Sequence, residues 1–275
     1  MQIRIGYEFI YECPQPTPMI LTLRVHPTRA RDLVTPDELR TGPVVPITRY
    51  EDLFGNLCDR IVAPTGETRI FADGIVNDSG EPDAIAPSAI QHPVEELPSD
   101  TLVFLLGSRY CEVDLMLGLA WDLFAKTPPG WTRVQAICDF AHEHVVFGYE
   151  HARPSRTARE AHAERLGVCR DFTHLAVTLC RCMNIPARYC TGYLGDIGVP
   201  VAAYPMDFSA WFKAYLGGRW YTFDARHNTP RIGRVLIARG RDAADVPIST
   251  TFGPNTLKKF SVITDEVMQP FAAPG

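Results

Sequence analysis

Ile3, Ile5, Tyr7 and Phe9 alternate with polar or small residues, and Leu21, Leu23 and Val25 repeat the pattern before His26-Pro27 interrupts it. A period of two marks strands with one buried face, so the chain opens in β-structure. Short apolar stretches at 46–51, 56–63 and 67–76, separated by Gly, Pro and Asp, predict an antiparallel sandwich or meander. Residues 80–100 carry Pro82, Pro87, Pro93 and Pro98 among small and acidic residues, the composition of an extended connection. A boundary is expected there, dividing a β-rich domain over residues 1–105 from a second domain over residues 106–275.

Beyond the boundary the period becomes helical. Val113, Leu115, Met116, Leu119 and Leu123 fit one helix, and Val134, Ile137, Cys138, Ala141 and Val145 line a second. Thr157 with Glu160 three residues later is a capping-box pattern, and Gly167 is expected to end the short helix that follows. Phe172, Leu175, Ala176, Leu179 and Met183 then give the stripe of a longer helix with Cys169 at its start. Strand patterns return at 188–193, 209–216, 219–224, 235–238 and 260–264, so the second domain reads as α+β, helices first and sheet after.

Composition narrows the function classes. Hydrophobic residues make up 46% of the 275 and charged residues 21%, an ordinary globular balance. With 27 basic and 32 acidic residues the net charge is −5, and no basic stripe offers a nucleic-acid surface. No apolar run approaches the ~18 residues of a membrane span. The N-terminal alternation lacks the apolar core of a signal peptide, so no membrane partner and a cytoplasmic location are expected. The eight cysteines have no framework spacing and are expected to be mostly reduced and buried.

One cysteine stands apart. A thiol at a helix N-terminus meets unpaired N–H groups and the positive end of the dipole, both of which favour thiolate. Gly167-Val168-Cys169-Arg170-Asp171 has that layout, with Arg170 placed to favour the thiolate and Asp171 to oppose it. Downstream, Leu216-Gly217-Gly218-Arg219 reads as a two-residue hairpin turn. Pairing 216 with 219 sets Trp211 opposite Asp224 and Ser209 opposite Arg226, which makes Ser209 and Asp224 diagonal neighbours roughly 7–8 Å apart on one face. Lys213 falls on that face and is expected to pair with a carboxylate. His142 and His144 lie two apart on a helix and cannot chelate one metal together. His174 is rotated roughly 140° from Cys169 on an ideal helix, and Cys180-Arg181-Cys182 has no metal or redox spacing.

The stretch 157–225 resembles the bacterial transglutaminase-like family, relatives of the papain-type cysteine enzymes. The resemblance is carried by Gly-Val-Cys-Arg-Asp-Phe (167–172), Asn-Ile-Pro-Ala-Arg-Tyr-Cys-Thr-Gly-Tyr (184–193), Ser-Ala-Trp-Phe (209–212) and Arg-Trp-Tyr-Thr-Phe-Asp (219–224). It implies a β-sandwich-like N-terminal domain followed by a papain-type α+β core of helices on an antiparallel sheet. It also implies a Cys-His-Asp triad, with Cys169 as nucleophile and Asp224 as the orienting carboxylate. The family writes His-Ala-Trp where this chain has Ser209-Ala210-Trp211, and serine does not titrate near neutral pH. His227, three residues beyond Asp224, can stand in only if the strand ends near Ala225 and the chain turns back, a turn that Asn228-Thr229-Pro230 favours.

The implied function is a cysteine-dependent enzyme acting on an amide or related carbonyl by hydrolysis or acyl transfer. Two alternatives stand beside it: proton-transfer, isomerase or lyase chemistry at Cys169 without a histidine, and a catalytically silent relative that binds a ligand or peptide. Tyr193, Asp196 and Trp211 are expected substrate contacts. The expected partner is a small molecule or peptide, with no metal and no cofactor.

Overall fold

The computed structural model describes residues 1–267. The first part of the chain forms β1 (Gln2–Cys13), β2 (Thr17–Leu21), β3 (Arg40–Gly42), β4 (Thr48–Glu51), β5 (Leu57–Ala63) and β6 (Gly66–Asn77). A helical stretch follows with α1 (Val113–Phe124), α2 (Trp131–His144), β7 (Val146–Phe147), α3 (Ala158–Glu164), β8 (Leu166–Gly167) and α4 (Cys169–Cys182). The chain then returns to strands: β9 (Ala187–Tyr193), β10 (Ser209–Leu216), β11 (Arg219–Phe223), β12 (Val235–Gly240), β13 (Ser249–Thr251) and β14 (Thr256–Glu266).

Three four-stranded antiparallel sheets result, ordered β14-β1-β6-β3, β13-β2-β5-β4 and β11-β10-β9-β12. The first two face each other over Ile5, Phe9, Met19, Leu21, Ile61 and Ile70 and make the expected sandwich. Strands β13 and β14 belong to this sandwich: β14 pairs with β1 from Ile3↔Glu266 to Glu12↔Thr256, and β13 pairs with β2. Residues 249–266, which the sequence reading assigns to the second domain, thus return to complete the first. Residues 268–275 of that span lie outside the described residues. A strand pattern says that a segment pairs, not with which edge, and β1 and β2 each had an open edge to cover.

The third sheet carries the helices. Alternation sends Ala187, Phe212, Ala214 and Phe223 into a core with Phe172, Leu175 and Leu179 of α4, and α1 and α2 close it from outside. Arg188, Cys190, Trp211 and Lys213 take the opposite face. The hairpin register is the one read from the sequence, Leu216↔Arg219 through Phe212↔Phe223, over a turn whose glycines have φ of 54° and 83°.

One boundary differs from expectation. Helix α3 begins with the full capping box at Thr157 and Glu160, but it ends at Arg165, which takes the left-handed conformation at φ 58°. Gly167 is instead a strand residue paired with Phe147, and it is small because a Cβ there would lie 2.6 Å from the Asp171 side chain.

Candidate active site

Cys169 opens α4. Of the eight cysteines, all free, it alone is partly exposed and the other seven are buried. The helix start is tied down behind it: Asp171 accepts from the Val168 N–H at 2.9 Å and from Arg156 Nη1 at 3.0 Å. This buried ion pair neutralises the charge that the sequence reading set against the thiolate. Arg170 turns away to the carbonyls of Arg153 and Pro154, so it is not the cation beside the sulfur. Surrounding protein desolvates the thiol and pushes it up to about 11, against the opposing pull of the Arg226 guanidinium and the Ala210 backbone amide. Desolvation thus favours the thiol over the thiolate.

Strand β11 stops at Phe223, and the chain turns back at once. The Asn228 N–H bonds the Asp224 carbonyl at 2.8 Å, and Asn228 takes φ 51°. This is the turn that brings His227 back. Asp224 Oδ1 accepts from the backbone N–H groups of Arg226 (3.1 Å) and His227 (3.0 Å), while Oδ2 accepts from His227 Nδ1 and Arg234 Nη2, each at 2.8 Å. Burial raises the Asp224 pKa, but the Arg234 cation and the His227 contacts outweigh it and hold the carboxyl well below the usual range. With Nδ1–H on Asp224, the lone pair of His227 sits on Nε2, where Arg226 Nη1 donates to it at 3.1 Å. The Arg226 guanidinium lies 3.9 Å from the centre of the Phe147 ring. His142 Nδ1 fixes the turn from outside by donating to the Arg226 carbonyl at 2.8 Å.

Cys169, Ser209, Arg226 and His227 line one cavity of about 330 Å³, together with Asp196 and Asp207. Ser209 Oγ is buried without a hydrogen-bond partner, so the expected contact with Asp224 does not form; Asp224 has turned to His227 and Arg234 instead. Asp196 belongs to the cavity wall, where Oδ2 accepts from the Ala202 N–H at 2.8 Å. The two other expected substrate contacts are buried and do not line this cavity. Tyr193 is 1% exposed and packs against Phe208, and Trp211, also 1% exposed, lies under Arg234 on a different face of the sheet. Tyr193 belongs to the core shared with the sandwich and Trp211 packs with Cys190 and Leu236, contacts that a single strand pattern does not reveal. His174 is buried, with Nε2 accepting from the Ala243 N–H at 3.1 Å, and Cys180 and Cys182 are core residues. Among the described residues no group of His, Cys, Asp and Glu could hold a metal ion, and no helix is long and apolar enough to cross a membrane.

Sequence reasoning missed Arg226, Arg234 and Asp207. Arg231 and Arg234, three apart and close behind Asp224, were a legible hint of a buried acid needing cations. Nothing in the sequence says which way Arg226 turns. Replacing Arg226 with Gln removes the nearest favourable charge, so the midpoint of a pH–rate profile for Cys169 alkylation is expected to move further up.

The profile of the Transglutaminase-like superfamily matches residues 119–225, the segment from α1 to just past Asp224. The fold also matches the crystal structure of a "putative cysteine protease" from Cytophaga hutchinsonii, with a TM-score of 0.82 and 30% identity over 100% of this chain and 94% of that one. The chain belongs to the transglutaminase-like superfamily. Another relative, the "uncharacterized protein ML0607" of Mycobacterium leprae, is 25% identical over 249 residues, covering 86% of this chain and 87% of its own. A transglutaminase-like core beneath a sandwich closed by the C-terminal strands is therefore the architecture in which the Cys169 cavity sits.

Proposed function

We propose that this transglutaminase-like chain is a cysteine-dependent enzyme acting on an amide or related carbonyl by hydrolysis or acyl transfer through Cys169. The observation that carries this reading is that the Cys169 thiol and the His227 imidazole line one cavity, with Asp224 holding Nδ1 and leaving the lone pair on Nε2.

A thiol held near 11 requires a base at the moment of attack. When substrate enters, Arg226 releases His227 Nε2, which takes the thiol proton as sulfur bonds to the carbonyl carbon. The tetrahedral oxyanion is met by the amide at the helix start. The C–N bond then breaks, the amine leaves with the proton from the imidazolium, and a thioester remains for water or a second amine. Ser209 hydrogen-bonds substrate, and Asp196 contributes to the cavity wall.

A second reading has its own support. Ser209 Oγ has no partner and His227 Nε2 is already engaged by Arg226, as expected of a cleft that binds without catalysis. Incubation with p-nitrophenyl acetate, followed by intact mass, separates the two. An acetyl adduct that is absent in Cys169→Ser and forms at least ~10-fold more slowly in His227→Ala supports the enzyme. An adduct forming equally fast in His227→Ala removes His227 from the mechanism and leaves acyl transfer by Cys169 without a histidine. No adduct in the parent chain leaves the binding cleft.

A further inference from the structure

The face of the third sheet turned away from α4 carries an unusual concentration of cations. Lys213 on β10 pairs directly with Arg188 on β9, and Arg239 on β12 pairs with Cys190, the next residue but one from Arg188. Like charges directly opposite on neighbouring strands are destabilising, and opposed positions normally carry apolar or oppositely charged pairs. Among the described residues Arg188 and Lys213 form neither an ion pair nor a side-chain hydrogen bond, and the Arg239 guanidinium has only the Phe54 carbonyl at 3.4 Å. Lys213 thus lacks the carboxylate that the sequence reading expected for it.

Arg188 is the most costly member. It is 8% exposed, its Nε is buried without an acceptor, and burial pushes its guanidinium down to about 10. Trp220 covers one face of the guanidinium at 4.1 Å, which steadies the plane but leaves the N–H groups unmet. His26 Nε2 nearby also has no partner, and burial together with these cations holds His26 down to about 4, so it stays neutral.

The cluster borders a cavity of about 650 Å³ between this sheet, the loop at 53–55 and the 3-10 segment Ser99–Leu105. Its walls are Leu53, Phe54, Val103, Phe104 and Trp220, with Arg188, Arg239 and Arg241 on the polar side. Two carboxylates also line it: Asp245, already bidentate on Arg241, and Asp100, which pairs with none of these cations. The volume lies in the range of small-molecule sites. None of its lining residues belongs to the Cys169 cavity.

We propose that this cavity is a binding site for a phosphate ester bearing a flat ring, with the phosphoryl group on Arg188 and Arg239 and the ring on the apolar wall of Leu53, Phe54 and Phe104. Planar guanidinium groups suit phosphoryl oxygens, a multivalent anion answers more than one cation, and the aromatic walls take the apolar part. Lys213 adds a second layer of positive charge behind Arg188. The proposal is independent of the chemistry at Cys169.

Isothermal titration calorimetry of the full chain with phenyl phosphate, inorganic phosphate, phenol and benzoate tests it. Phenyl phosphate is expected to bind at least ~10-fold more tightly than any of the other three, because it alone satisfies both halves of the cavity. Arg188→Gln is expected to weaken phenyl phosphate at least ~10-fold while leaving Tm unchanged or raising it, since it removes a buried cation without a partner. Lys213→Gln, at a less buried position, is expected to weaken binding less. The proposal fails if phenyl phosphate binds no more tightly than phenol, or if the parent chain shows no saturable binding. Equal binding of benzoate would overturn the phosphoryl assignment. A loss of Tm in Arg188→Gln with affinity unchanged would make Arg188 a structural residue only.

Discussion

Ser209→His is expected to speed alkylation of Cys169 by iodoacetamide at pH 7 by about 10²-fold. In the resemblance, position 209 is the first residue of the family's His-Ala-Trp strand, and here it opens β10 on the cavity that holds the thiol. With the thiol at about 11, only ~10⁻⁴ of it is thiolate at pH 7, whereas cysteines paired with imidazolium fall to about 3.5–7.5. A four-unit drop raises the thiolate fraction by roughly 10⁴, and the lower basicity of the sulfur takes back about two decades. Intact-mass alkylation rates from pH 5 to 10 check this. An unchanged profile would mean that the imidazole at 209 does not reach the sulfur, and the reading of this position as the missing base would fall.

Asp224→Asn is expected to destabilise the fold by about 3 kcal/mol, on the order of 10 °C in Tm for a chain of this length. The carboxylate is the one group that joins Arg234, the His227 ring and two backbone N–H groups of the turn. Removing its charge leaves Arg234 buried with only Asp83 to answer it. Because the folded carboxyl is held below the unfolded range, its stabilisation is full above about pH 4 and disappears as pH falls through the folded value. The gap in unfolding free energy between parent and variant is therefore expected to be widest near neutral pH and to close in acid. Chemical denaturation at pH 7 and pH 3 measures it; a gap that is the same at both would mean that Asp224 acts through shape rather than charge.

These two residues also mark how far the sequence could be read. The period-two pattern placed β1, β5 and β6 and the period-3.6 pattern placed α1, α2 and α4, because burial on one face leaves a repeat whatever the partner is; the alternation read at 21–25 is a strand only up to Leu21, and β3 and β13 left no readable pattern. The Gly-Gly turn fixed the register of β10 and β11, since a two-residue hairpin allows only one pairing. Cys169 was legible because a helix start is a local event, visible in the capping of its own first turn.

What happens after Phe223 lay outside the strand pattern, with only Asn228-Thr229-Pro230 to hint at the turn. His227 joins Asp224 only because the strand ends and the backbone reverses at Asn228, and a pattern of alternating residues carries no information about where a strand will stop. The burial of Tyr193 and Trp211, the return of β13 and β14 to the first domain, and Arg226 rather than Arg170 beside the thiol all depend on which surfaces meet. The sequence by itself determined most of the elements, the family motifs and the candidate cysteine at the start of α4, since each is written in neighbouring residues. Tertiary structure alone decided the desolvation of the thiol and the clustering of Arg188, Lys213 and Arg239, because burial and charge pairing there are set by atoms distant in the chain.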